Sequence, residues 1–350
     1  MKHNILHTAT LALAAMLTMA TAATAEIKQM ITVAEAHDTF DGLTSVLVNG
    51  RFCKVNVLKS DDGRTAMQGR LEAMKPDAAY KIDYRTEGTT LVIDIIVSDD
   101  SFASFVGEVT VNVPAGVEVT VENTSGYVDI SGLADNKLVA NTVQGKITAT
   151  ASHGDLSLNS KGGSVTADRL SGTISTSSSS GAQKLTDVNG SLSVDSPDGE
   201  VEITGVEGTL TVATVAGRQT IANVEGTLNV RSSSGAVRIS NCTGVFNIRT
   251  MAAAVNLCET TGEFHIETTK GGIMGQKRVK LTASSDFTTT EGRIQLQLLN
   301  DKEELTFMMQ TESSKVGLVA KGISKKKKLQ AGKGPIVVTT KTRTGGQVIS

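Results

Sequence analysis

Residues 199–235 read GEVEITGVEGTLTVATVAGRQTIANVEGTLNVRSSSG, with a glycine at 199, 208, 217, 226 and 235. Nine residues separate each glycine from the next, and the interval holds well beyond this stretch. Glycines fall at 145, 154, 163, 172, 181 and 190 before it and at 244, 262 and 271 after it. Ala253 fills the one vacancy, so 14 of 15 registered positions are glycine. Random placement of this chain's glycines would fill only about 1.5 of them, and a fixed period of this kind marks a repeat architecture.

Apolar residues sit two and four positions after most of these glycines. The pairs include Leu156/Leu158, Leu192/Val194, Val201/Ile203, Leu210/Val212, Leu228/Val230, Val237/Ile239, Phe246/Ile248, Val255/Leu257 and Phe264/Ile266. The residues between them are mostly polar. A period of two is that of a β-strand with one face turned inward; a helix would need spacings of three and four.

A second period lies above the first. Three positions before alternate glycines stand Thr142, Ser160, Ser178, Ser196, Thr214, Ser232, Thr250 and Thr268, spaced by 18. The other corner carries Leu170, Val188, Val206, Val224 and Cys242 at the same spacing, with Asp187, Asn223 and Asn241 just before three of them. The unit is therefore 18 residues: strand, hydroxyl corner, strand, apolar corner. Residue i stacks on residue i+18. This predicts an all-β protein, a parallel β-solenoid with two strands per coil and two sheets face to face. One coil is expected to bury about four side chains at about 1.5–3 kcal/mol each. Ordering its residues costs about 1–2 kcal/mol apiece, so pairing between neighbouring coils must supply the stability.

The flanks are less regular. Residues 26–120 read as a β-rich N-terminal segment that covers the first edge of a solenoid spanning 121–350. Strands are expected at 52–58, 78–85, 90–97 and 107–113, with turns at Asp61-Asp62-Gly63 and Pro114-Ala115-Gly116. Gly126 with Val128 and Ile130 looks like an early coil one residue out of register. The strict period runs through 142–271. Over 272–350 the motif survives in Thr289–Gly292 before Ile294 and Leu296, in Thr311–Ser314 before Val316 and Leu318, and in Thr342–Gly345 before Gln347 and Ile349. These are expected to be longer coils continuing to the C-terminus.

Residues 1–25 read as a secretory leader. Lys2 and His3 give a basic start, residues 9–20 an apolar run, and Ala23-Thr24-Ala25 a small-residue cleavage site before Glu26. The run is too short for a spanning helix, which needs about 20 residues, and the mature chain offers no transmembrane helix. Export to the periplasm or the cell surface is the expectation. The three cysteines are odd in number and exclude a fully paired framework. Cys53 shares the parity of Val55 and Val57 and reads as buried, whereas Cys258 follows Leu257 and points the other way.

The lead-in VTVNVPAGVEVTVENTSGYVDI (109–130) and units such as SSGAVRISNCTGVFNIRT (233–250) resemble the bacterial "putative adhesin" families of unknown function, built from repeated S-G-x-V-x-I strands. The resemblance covers roughly residues 40–350. It implies an exported β-solenoid with an adhesin-like role and brings no catalytic residues with it.

Composition narrows the function further. The formal charge is −2, with 34 basic and 36 acidic residues, which gives no steering toward nucleic acid. No cofactor motif is present. Calcium held between nine-residue repeats needs a column of aspartates, and the corners offer only scattered Asp187 and Asp198. Lys184, Glu200, Glu202, Arg218 and Arg238 come closest to a polysaccharide-cleaving cluster, the alternative reading being an envelope carbohydrate enzyme. Their offsets place Lys184 beside Glu202 and Glu200 beside Arg218, which favours a ladder of surface ion pairs. Aromatic residues, useful for stacking on sugars, are 3% of the chain without tryptophan. The outward residues Thr173/Ser175, Ser191/Ser193, Thr209/Thr211 and Thr227/Asn229 form a hydroxyl-rich face suited to a repetitive surface. His153 and His265 look isolated. From Lys315 onward there are nine basic residues and no acid. The run Lys325, Lys326, Lys327 and Lys328 is either protection of an open sheet edge or a contact for an anionic surface. The expected partners are envelope glycans, an anionic lipid surface or another envelope protein.

Overall fold

Each regular coil turns twice, and different glycines serve the two turns for different reasons. The computed structural model describes residues 30–74, 79–97, 105–313, 315–318, 322–324 and 327–350. In Val201–Thr214 the chain runs as one strand through a bend. Val201, Ile203, Val206, Leu210, Val212 and Thr214 all point inward and are buried. The alternation slips at Gly205, where φ is +74°. The same left-handed turn recurs at Ala151, Arg169, Asp187, Asn223, Asn241, Glu259 and Lys277, with φ between 47° and 55°. From Arg169 to Asn241 it is the position just before the apolar corner, and Asn and Asp tolerate this conformation better than most residues.

Three residues later comes the glycine column 154, 172, 190, 208, 226, 244 and 262, with φ from +108° to +155°. The alternate column, from Gly145 through Gly163 to Gly235 and on to Gly271, has no such dihedral. It is glycine because a Cβ there would collide with the backbone carbonyl of the coil before: at Gly217, with Gly199 O. The hydroxyl column closes this second turn. Ser178 Oγ accepts from Gly181 N at 3.0 Å and donates to Gly163 O at 2.9 Å. Ser196, Ser232 and Thr250 donate to the carbonyl three residues on, at 2.9–3.0 Å. A serine or threonine is needed because the site is buried and only a hydroxyl both fits and satisfies the turn.

The stack is parallel with an offset of 18, as in Val201↔Gln219 and Thr214↔Ser232. The early coil is out by one, Val128 pairing with Ile147, as its spacing predicts. After the last regular coil the offset widens to 21, with His265 opposite Asp286. Five apolar residues and a hydroxyl are buried in the coil of Val201–Thr214, more than the four side chains expected, because the apolar corner also points inward. Phe246, Phe264 and Phe287 stack down the core, with ring centroids 4.5 and 6.0 Å apart. Cys53 and Cys242 are buried and Cys258 is half-buried; all three are free thiols.

At both ends space and sequence part company. Ser45–Gly50 lies between Thr90–Ile96 and Glu118–Ser125, parallel to both. Cys53–Lys59 likewise lies between Phe105–Val113 and Val128–Ser131. The coil 45–59 is thus slotted between two that follow it in the chain. Antiparallel strands cap this end: Lys81–Glu87 on Thr90–Ile96, Thr65–Ala73 on Phe105–Val113, and Ile31–Phe40 on Thr65–Ala73.

The C-terminal end repeats the device: longer coils run to the C-terminus, but interleaved in space. Ile336–Thr342 pairs with Ser285–Thr289 on one edge and Leu305–Thr311 on the other. Gln347–Ile349 sits between Ile294–Leu298 and Val316–Leu318. The last coil in the sequence is therefore the last but one in space. Lys328–Gly332 and Gly322–Ser324 close this end as antiparallel strands.

Candidate functional site

Stacking at 18 residues turns every outward position into a column, so chemistry on the surface comes in lines. One line runs Thr211, Asn229, Asn247, His265 and Asp286; its neighbour runs Ala213, Arg231, Arg249, Glu267. Between them lies a shallow groove of about 520 Å³. Asn247 Nδ2 donates to Asn229 Oδ1 at 3.0 Å, fixing the two amides as rungs of one ladder. Arg249 lies 3.6 Å from Glu267. The small Ala213 leaves room beneath Arg231.

His265 ends the groove and is not isolated. Its Nε2 is 2.8 Å from Glu263 Oε1 and its Nδ1 is 3.1 Å from Asp286 Oδ1. Partial burial works against its charge, but the hydrogen bonds and charges of Asp286 and Glu263 outweigh it and raise its pKa above the ordinary histidine value. His153 is also partnered, to Ser171 Oγ at 2.8 Å and Asp135 at 3.1 Å.

The other groups singled out in the sequence are placed as follows. Lys184 pairs with Glu202 at 3.1 Å and Arg218 with Glu200 at 3.9 Å, all four well exposed. Asp187 joins Glu207, Glu225, Asn223 and Asn241 along a groove at the apolar corner, where Asn189 donates to Glu207 at 3.1 Å. Among the described residues no group of three His, Cys, Asp or Glu side chains could hold a metal ion, and no helix is long and apolar enough to cross a membrane. Thr173, Ser175, Ser191, Ser193, Thr209 and Thr211 all point outward and are exposed, and Thr227 and Asn229 are half-exposed beside them. An apolar cavity of about 380 Å³ lies at the C-terminal end, among Leu298, Leu305, Phe307, Leu318 and Ile349.

A family model, Toastrack DUF4097, matches residues 54–246 and 209–344, most of the sequence. The chain belongs to the Toastrack DUF4097 family. No curated protein matches it. Two solved structures align along almost its whole length. A "putative cell adhesion protein" from Clostridium sporogenes is 10% identical, covering 92% of this chain and 99% of that one, with a TM-score of 0.21. A "putative adhesin" from Bacteroides fragilis is 14% identical, covering 90% and 97%, with a TM-score of 0.20.

On this Toastrack solenoid only the second half of the lysine run can be placed, at the C-terminal end. Lys325 and Lys326 lie outside the described residues. Lys327 and Lys328 are exposed, and Lys328 opens a strand that pairs, among the described residues, only with Leu305–Thr311. Sequence reasoning passed over Arg231, Arg249 and Asn247. The 18-residue offset that pairs Glu200 with Arg218 also aligns Asn229 with Asn247 and Arg231 with Arg249, and would have found them.

Proposed function

We propose that this chain is an exported, non-enzymatic protein of the cell envelope or surface that binds a repetitive surface in an adhesin-like or scaffolding role. The observation that carries the reading is the register itself. From Ser157 through Ser175, Ser193, Thr211 and Asn229 to Asn247 one straight outward column holds a hydroxyl or an amide in every coil, with Thr173, Ser191, Thr209 and Thr227 beside it, a presentation suited to many weak, evenly spaced contacts. The leader at 1–25 supports export. The exposed, ion-paired setting of Glu200 and Glu202 supports a surface ladder over a carbohydrate-cleaving site.

Fractionation of cells expressing the chain, with the new N-terminus sequenced, should find it outside the cytoplasm and beginning at Glu26. The purified chain should bind intact envelope fractions. An uncleaved cytoplasmic protein, or one that binds no envelope fraction, sinks the reading. The lysine run belongs to the same proposal as a basic edge for an anionic surface. Changing Lys325, Lys326, Lys327 and Lys328 to Ser should then weaken salt-sensitive binding to anionic vesicles.

A further inference from the structure

We propose that the groove along Thr211, Asn229, Asn247 and His265, with Arg231 and Arg249 down one side, binds a linear anionic polysaccharide running along the solenoid axis. This rests on the surface-binding reading above and names its ligand.

The charge of the groove selects the class. All charged side chains that line it are basic: Arg231, Arg249 and His265. The nearby acids do not line it. Glu267 lies beside Arg249, and Glu263 and Asp286 hold the His265 ring. Arg231 makes no ion pair among those found in the described residues, so its guanidinium fork is available to a carboxylate or sulfate, which it grips in bidentate fashion. The amides of Asn229 and Asn247 and the hydroxyl of Thr211 both donate and accept, which suits sugar hydroxyls. Both Asn229 amide hydrogens, one Asn247 hydrogen and the Asn247 Oδ1 remain outside their mutual bond.

Spacing selects the shape. Neighbouring rungs of a sheet lie about 4.7–4.9 Å apart, close to the advance of one sugar in an extended chain. A polysaccharide laid along the axis therefore meets Thr211, Asn229, Asn247 and His265 on successive coils, with Arg231 and Arg249 beside the middle two. The groove has a defined start, where Asp195 precedes Ala213 in the basic column, and a defined end at Asp286. Both acids would repel an anionic chain that ran on further, so a short segment is favoured. An anionic lipid surface, by contrast, is flat and extended and would meet the acids at both ends of the groove.

The test uses the purified full chain, polygalacturonate as the anionic probe and dextran as the neutral one. The native chain should bind polygalacturonate and not dextran. Replacing Arg231→Ala and Arg249→Ala together should weaken polygalacturonate binding at least tenfold and flatten its salt dependence, with the melting temperature preserved. Lys184→Ala with Arg238→Ala, which removes equal charge from the other sheet, should leave affinity within about twofold. Equal losses in both double variants, equal binding of dextran, or no binding of polygalacturonate by the native chain each overturn the groove. Envelope binding is measured in parallel. If the Arg231/Arg249 variant still binds envelope as the native chain does, the groove fails and the surface reading stands. If the native chain binds no envelope, the surface reading itself fails.

Discussion

Gly217 and Gly208 look equivalent in the sequence, nine residues apart in one period, yet the structure asks different things of them. Gly217 has ordinary dihedrals and is held to glycine only by the carbonyl of Gly199. Gly208 carries φ +127° and also abuts Gly190 O. Ala253 occupies a rung of the Gly217 column, so that column yields to a methyl at some cost. We expect Gly217→Ala to lower stability by about 1–3 kcal/mol, the usual penalty of overpacking, and Gly208→Ala to cost more because strain adds to the clash. Urea unfolding of the two variants decides it; a harmless Gly208→Ala would show that the dihedral is not needed. His265 carries a second residue-scale expectation. Its folded pKa is raised by Asp286 and Glu263, so its stabilising effect is full below the unfolded value of about 6.5. That effect is lost as pH rises through the folded value. Melting temperatures of the native chain and His265→Gln should differ most at mildly acidic pH and converge toward alkaline pH. A gap that grows with pH would contradict the two ion pairs.

At the scale of the single coil, the fold was largely legible because inward and outward positions are dictated by a period of two, and a one-residue slip would expose the whole core face. The regular register, the buried hydroxyl column and the ion pairs of Lys184 and Arg218 follow from the 18-residue offset alone. The site was less legible, since an outward column is constrained by no packing. Asn229 and Arg231 look like ordinary solvated residues until Asn247 and Arg249 are placed beside them. The aromatic stack shows how a coil is tied to its neighbours. Phe264 lies fully buried between Phe246 and Phe287, its ring 4.5 Å from one and 6.0 Å from the other. Phe264→Ala should cost about 3–5 kcal/mol. In an array whose stability is a sum of local and nearest-neighbour terms, the loss should be felt first in the coils on either side. Hydrogen exchange should therefore quicken in residues 243–289 while residues 147–196 stay protected. Uniform acceleration along the chain would instead mean that the solenoid unfolds as one unit.

Over the whole molecule, the irregular ends hid an interleaving that no local pattern encodes. The motif at Thr342–Gly345 announces a coil, but its neighbours are chosen by long-range pairing, which leaves no periodic trace. Antiparallel strands then cover both ends, where Ile31–Phe40 and Lys328–Gly332 stand outermost. Open parallel edges invite further chains, and a coil wedged between two earlier ones cannot fray from its own terminus. Residues 336–349 therefore act as a keystone for the end of the solenoid. Among the described residues they supply the strand pairing that joins the coil 285–298 to the coil 305–318, through Ser285↔Val338, Leu305↔Ile336 and Val316↔Gln347. Thr340, Thr342 and Gln347 bind one another in the buried layer between, with Gln347 Nε2 donating to Gln310 O at 2.6 Å. Deleting residues 336–350 should thus release more than the segment removed. Limited proteolysis of the shortened chain should cut throughout 299–335 and leave a resistant core ending near Leu298, whereas the full chain resists across both regions. A simple succession of coils predicts the reverse, with 305–318 still docked on 285–298 and protected. Mass spectrometry of the fragments separates the two, and a protected 305–332 segment would refute the keystone.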